Sequence, residues 1–139
     1  MLEKIKTQFV QFLKDLGYSV TDNGTYKEEF PWLMVRTGGY QSTVSLDVRY
    51  DIVTLTLDIF STYNGEQEII NIGENIINHL QNLRAVAPEI TAVGQNSMVV
   101  LGDKETGPVR KHGVLTYRFV LASGLQEEED DETTSATGN

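Results

Sequence analysis

The chain of 139 residues contains no cysteine. Disulfides, zinc–thiolate sites and thiol catalysis are therefore excluded. It also lacks any apolar run near the roughly 18–20 residues that span a bilayer. The opening stretch "MLEKIKTQFVQFLKDLG" interleaves charges with its apolar positions, so no secretory signal is expected there. A soluble protein of a reducing compartment is the expectation. Basic residues are few, 11 against 20 acids, and Arg110-Lys111 is the only adjacent pair. With no basic cluster interleaved with aromatics, nucleic-acid binding through bases is not expected.

Catalytic patterns are equally scarce. The two histidines, His79 and His112, form no HxxxH, and no DxD or carboxylate cluster has metal-ligand spacing. "RTGGY" and "ETGPVRKHG" lack the GxxxxGK[ST] order of a phosphate cradle, and no serine sits in GxSxG. His79 reads as a surface or packing histidine inside a helix. His112 reads as a member of a polar loop. The acid pairs Glu28-Glu29 and Asp47/Asp51 fall in polar, turn-rich stretches where solvated carboxylates are the ordinary outcome. No metal, cofactor or catalytic constellation is expected, and the protein reads as a non-enzyme.

The net charge of −9 is unevenly placed. Six acids and no base lie in "LQEEEDDETTSATGN", residues 125–139, which leaves −3 over residues 1–124. The last segment cannot bury enough apolar surface to fold alone and reads as a disordered acidic tail behind a single domain, 1–124.

Within that domain the hydrophobic period alternates between helix and strand. Leu2, Ile5, Phe9, Phe12, Leu13 and Leu16 share one side of a first helix, with Gly17 placed for a left-handed cap. A short strand at Tyr18–Val20 precedes a turn at Asn23-Gly24. "FPWLMVRTGG" reads as a buried strand entered through Pro31 and ended by Gly38-Gly39. Residues 40–49 read as loop or edge strand. In "YDIVTLTLDIFST", Val53, Leu55, Leu57 and Ile59 alternate with Thr54, Thr56 and Asp58. Past Asn64-Gly65 the period becomes helical. Ile69, Ile70, Ile76, Ile77, Leu80 and Leu83 make an apolar stripe interrupted by Gly73, and Pro88 closes the region. "SMVVLG" is a short buried strand and "DKETGPVRKHG" a polar loop. In the last strand, "VLTYRFVLA", Leu115, Tyr117, Phe119 and Leu121 alternate with Thr116, Arg118 and Val120. The expected fold is α+β: a twisted, mainly antiparallel sheet with two helices packed on one face, in the order α-β-β-β-α-β-β.

Polarity beyond the needs of a monomer points to contact surfaces. The outward face of the central strands would carry Thr54, Thr56, Asp58, Thr116 and Arg118. If those strands are neighbours, Asp58 and Arg118 would pair across the sheet, a contribution of about 0.2–1 kcal/mol. Asn71, Asn75, Asn78 and Asn82 recur at helical spacing on the side of the second helix opposite Ile76, Leu80 and Leu83. Two readings stand for this stripe: a solvated face, or a packing surface whose short amides bond a neighbour without burying charge. Residues 36–50 and 102–113 read as long contact loops, with Arg36, Asp47, Arg49, Asp51, Asp103, Lys104, Arg110 and Lys111 as candidate interface residues.

The strand "VTLTLDIFSTYNG" leading into the helix "EQEIINIGENIINHLQNL", the proline-entered "FPWLMV" and the late "RKHGVLTYRFVL" resemble the tail-completion proteins of long-tailed phages. These are the tail terminators, also called head–tail joining or minor tail components, of non-contractile tails. The resemblance covers the order of elements over most of residues 1–123. It implies a virion structural protein, a small subunit assembling into a ring, typically a hexamer. Such a ring sits on the head-proximal end of the tail tube, stops tube polymerisation and offers a surface to the head connector. The implied partners are other copies of the chain, the tube protein and a head-completion protein, in the host cytoplasm during assembly and then in the virion. DNA would only pass through the ring, and a body without a basic stripe suits that passage. No membrane is involved. The competing reading of the residues is a homodimeric adaptor domain that pairs through a sheet edge.

Overall fold

The computed structural model describes residues 2–22, 29–45, 48–102 and 109–122. Helix α1 (Leu2–Asp15) buries Ile5, Phe9, Val10, Phe12 and Leu13 along one stripe. It ends because Gly17 takes a φ of 100°, open to glycine at no steric cost. The Gly17 N–H then reaches the Lys14 carbonyl at 2.9 Å and the Tyr18 N–H the Leu13 carbonyl at 3.2 Å, a Schellman closure. Strand β1 (Ser19–Thr21) follows at once.

Strands β2 (Trp32–Ser45) and β3 (Val48–Ser61) form a long antiparallel hairpin. Helix α2 (Gln67–Val86) crosses back, and β4 (Ile90–Gly102) and β5 (Lys111–Ala122) complete the sheet. The order across the sheet is β1-β2-β3-β5-β4, with β1 parallel to β2 and every other pair antiparallel. The architecture and the α-β-β-β-α-β-β order are those expected from the sequence.

One face of the sheet makes the core. Val53, Leu55, Leu57 and Ile59 of β3 are fully buried, as are Leu115, Tyr117 and Phe119 of β5. They meet Leu33 and Val35 of β2 and the apolar stripes of both helices in a single cluster. Each such Leu or Ile contributes about 1.5–3 kcal/mol by leaving water. Phe9 anchors α1 there, its ring 5.1 Å from that of Tyr117 and 5.4 Å from that of Phe119. Gly113 of β5 lies under α2, where an added Cβ would stand 2.5 Å from Ile69 Cγ2. Gly73 plays the reciprocal part on the helix, facing Leu115 and Met98.

Several local expectations are corrected. Gly38-Gly39 does not end β2. The pairing shifts between Thr37 and Gly39, so Gly38 is the extra residue of a bulge and the strand runs on to Ser45. A Cβ on Gly38 would meet the Thr54 carbonyl oxygen at 2.8 Å, which is why glycine stands there. Residues 36–50 are therefore hairpin strand rather than contact loop, apart from 46–47, which lie outside the described residues. "SMVVLG" is not a short buried strand but the latter half of β4, an edge strand whose Val99 and Leu101 are about half exposed. Within 102–113, Gly102 belongs to β4 and residues 111–113 to β5, while Val109 and Arg110 lead into β5 without belonging to a strand. In α2, Ile72 is buried in place of Ile77, which is exposed, and Ile70, which is half-buried. The Asn23-Gly24 turn, Glu28, Asp47, Asp103, Lys104 and the acidic segment 125–139 lie outside the described residues.

Candidate interaction surface

No described helix covers the other face of the sheet, and strand register alone fixes what stands on it. Four cross-strand rows result: Trp32–Phe60–His112–Leu101, Met34–Asp58–Val114–Val99, Arg36–Thr56–Thr116–Ser97 and Gly39–Thr54–Arg118–Gly94. One end of this open face is aromatic. The ring centroids of Trp32 and Phe60 lie 4.3 Å apart and those of Phe60 and His112 4.5 Å apart, both pairs stacked. The other end is small and polar, with Thr54, Thr56 and Thr116 half-buried and Arg118 exposed.

Between the two ends sits Asp58, only 1% exposed although it occupies the helix-free face. Arg36 engages both of its carboxylate oxygens, with Nη2 to Oδ1 at 3.1 Å. His112 Nε2 lies 2.9 Å from Oδ1. Both partners are diagonal neighbours, two residues along from the position opposite Asp58 on each flanking strand, within reach of long side chains. Burial pushes the Asp58 carboxyl up, but the hydrogen bonds and charges of His112 and Arg36 outweigh it and hold the group below the usual carboxylate range. The Asp58 bond in turn holds the Arg36 guanidinium above its ordinary value.

The expected Asp58–Arg118 pair does not form. Arg118 stands opposite Thr54, four residues from Asp58, or about 13 Å along the strand. His112 is likewise not a loop residue. It belongs to β5, half-buried against Phe60 and Asp58.

The remaining candidates are dispersed. Asp51 is buried near the hairpin end, its Oδ1 3.5 Å from Arg49 Nε, and Arg49 also donates to Ser42 Oγ at 3.3 Å. Burial, with Asp51 nearby, pushes the Tyr40 phenol above its usual range. Arg110 is exposed, while its backbone N–H bonds the Ser61 carbonyl at 2.8 Å. Lys111 opens β5 opposite Ser61.

On α2, Asn71, Asn78 and Asn82 are exposed, as the spacing predicts. Asn75 is not: it is half-buried and donates to the hydroxyl of Tyr18, between α1 and β1, at 2.8 Å. Asn71 accepts from Gln67 at 2.7 Å. Asn82 borders a groove of about 420 Å³ between the two helices, with Phe12, Leu16 and Val86 among its walls. His79 is half-buried with Nδ1 2.8 Å from the Asn75 carbonyl, a packing histidine.

Two features were missed from sequence. Ser61, fully buried, donates to Glu68 and accepts from the Tyr63 N–H at 3.0 Å, fastening the end of β3 to the first turn of α2. The Asp58 triad was missed because its partners are set by register rather than by spacing.

Among the described residues no group of three or more His, Cys, Asp or Glu could hold a metal ion. Nor, among the described residues, is any helix long and apolar enough to cross a membrane. Fold and surface thus define a class: a small α+β protein whose described helices lie on one face of the sheet, with the Asp58 carboxylate engaged by Arg36 and His112 on the other. The family model described as tail completion protein gp17 matches residues 13–122, most of the chain, and the chain belongs to that family. It is a structural component of the phage tail that acts with other tail and head components of the virion. No curated protein matches the chain.

Proposed function

We propose that this protein is a tail terminator. Copies of the chain close into a ring, a hexamer, on the head-proximal end of a non-contractile tail tube. The ring stops tube polymerisation and presents the surface to which a head-completion protein joins. It works by shape and contact, without catalysis or cofactor, and DNA passes through it without sequence-specific binding. Assembly takes place in the host cytoplasm. Residues 1–124 form the ring body and residues 125–139 an appendage.

Family membership combined with the open sheet face carries this reading. A subunit that contacts a tube, a connector and its own copies needs several distinct surfaces, and a protein with helices on one side only leaves the other side of its sheet free for them. Light scattering coupled to size exclusion, from micromolar to near-millimolar, with negative-stain images of the largest species, tests it. Rings of six subunits are expected at the top of the range. A concentration-independent two-fold dimer would replace the terminator by the adaptor reading.

A further inference from the structure

The two free edges of the sheet share an unusual composition. Natural sheets blunt exposed edges with charge, proline, bulges or short strands. Among the described strands β4 is an edge for its whole length, and although both it and β2 are bulged, residues 90–102, "ITAVGQNSMVVLG", hold no charged residue and no proline. On the opposite side β1 pairs only with Trp32, Leu33 and Met34, so no described strand covers β2 from Val35 to Ser45. Past Arg36 that run, "TGGYQSTVS", is also uncharged. Both edges expose apolar side chains, Tyr40 (46%) and Val44 (74%) on β2, Val99 (50%) and Leu101 (47%) on β4. Ile77, one turn beyond the glycine of α2 that faces β4, adds another on the helix side.

We infer that these two edges are made for each other: β4 of one subunit pairs with β2 of the next, so that the sheet continues from copy to copy. The inference rests on the ring reading and names the contact that closes the ring. Strand direction supports it. β2 and β5 run one way, β3 and β4 the other. A rotation axis along the strands preserves these directions, so β4 meets the neighbour's β2 in the antiparallel sense, the slightly more stable pairing. It also keeps all helices on one side of the continuous sheet. The two edges differ, so the contact is heterologous, the kind that closes into a ring when the rotation from copy to copy divides a full turn. With no charge on either strand past Arg36, their juxtaposition brings no like charges of the two strands together.

Dimensions give the expected strength. The free run of β2, from Val35 to Ser45, is roughly 36 Å long at about 3.3 Å per residue, and the longer β4 can cover all of it. A strip of that length and about 10 Å tall covers about 350 Å² per partner, less than half of the ~800 Å² of a standard stable interface. One such contact is weak, but in a closed ring every subunit makes two. Free subunits should therefore be monomeric at micromolar concentration and persist as neighbours only in the closed ring.

The lack of native cysteine makes the test clean. Gln41 and Thr43 on β2, and Ser97 and Val99 on β4, are exposed and share the open face. Virions are prepared with full-length chains carrying Q41C or T43C together with S97C or V99C. They are treated with a short bismaleimide, which tolerates a register offset of two residues, and resolved under denaturing conditions. At least one pairing should give a ladder of covalent multimers ending at the ring number, and the single variants none. Dimers from V99C alone would overturn the inference in favour of β4–β4 pairing about a two-fold. Absence of β2–β4 links in virions where glutaraldehyde still yields the full ladder would overturn edge pairing and leave the ring standing. Absence of the glutaraldehyde ladder would overturn both.

Discussion

Asp58 is the residue whose environment makes the sharpest energetic demand. Its carboxylate is almost fully buried on a face without helices and is held by Arg36 from one flanking strand and His112 from the other. Removing Arg36 (Arg36→Ala) leaves the histidine bond in place. Since the Arg36 side chain is half exposed, the expected loss is small, about 1 kcal/mol. His112→Ala removes the other bond and the stack on Phe60, for about 1–2 kcal/mol. The double variant leaves a buried carboxylate with neither partner, a situation that costs about 3–5 kcal/mol. At the middle of these ranges the losses should therefore exceed additivity by about 1.5 kcal/mol in a double-mutant cycle read by urea denaturation. If the two losses add to within about 0.5 kcal/mol, water reaches Asp58 as readily as its partners do, and the triad does not organise this face.

Further outcomes follow from the same geometry. The Asp58 carboxyl is held below its unfolded value, so its contribution is complete above the ordinary carboxylate range, about pH 4, and is lost as pH falls through the lower folded value. Asp58→Asn should accordingly flatten the acid limb of a stability–pH profile. Burial pushes the Tyr117 phenol far above its usual range, so its ultraviolet ionisation signal should be missing from a titration near pH 10–11 and appear only on unfolding. Gly113→Ala places a Cβ against Ile69 and should lower stability by about 1–3 kcal/mol, visible as a reduced melting temperature. Asn75→Ala should cost about 1 kcal/mol through the Tyr18 bond, whereas Asn78→Ala should leave monomer stability within about 0.5 kcal/mol.

Much of this architecture is written in local periodicity. The alternation from Val53 to Ile59 and from Leu115 to Phe119 identifies the two central strands and their buried side, because a buried sheet face leaves only one register of apolar residues. Gly17 marks the end of α1 because few other residues accept its φ. The edges were less legible. A strand with one free side carries mixed composition, so residues 40–45 and 90–96 show no clean alternation, and bulges at Gly38 and Asn96 shift the period midway. The glycine pair therefore reads as a terminator of β2 although it is a bend within it.

Pairs across the sheet were least legible of all. Asp58 and Arg118 face the same side, but only the register reveals that they stand four residues apart and that Arg36 and His112 are the near neighbours. Asn71, Asn78 and Asn82 stand on the exposed side of α2 that helical spacing gives them. That Asn75 is drawn in from this side depends on Tyr18, remote in sequence.

The most direct test of the terminator reading is a capping assay. Tail-tube protein of the parent phage is polymerised in vitro, the purified chain is added during growth, and tube lengths are measured by electron microscopy. Growth should stop upon addition, with a ring of six subunits visible on one end of each tube. Tubes that lengthen at the same rate with and without the protein, and carry no ring, would contradict the account.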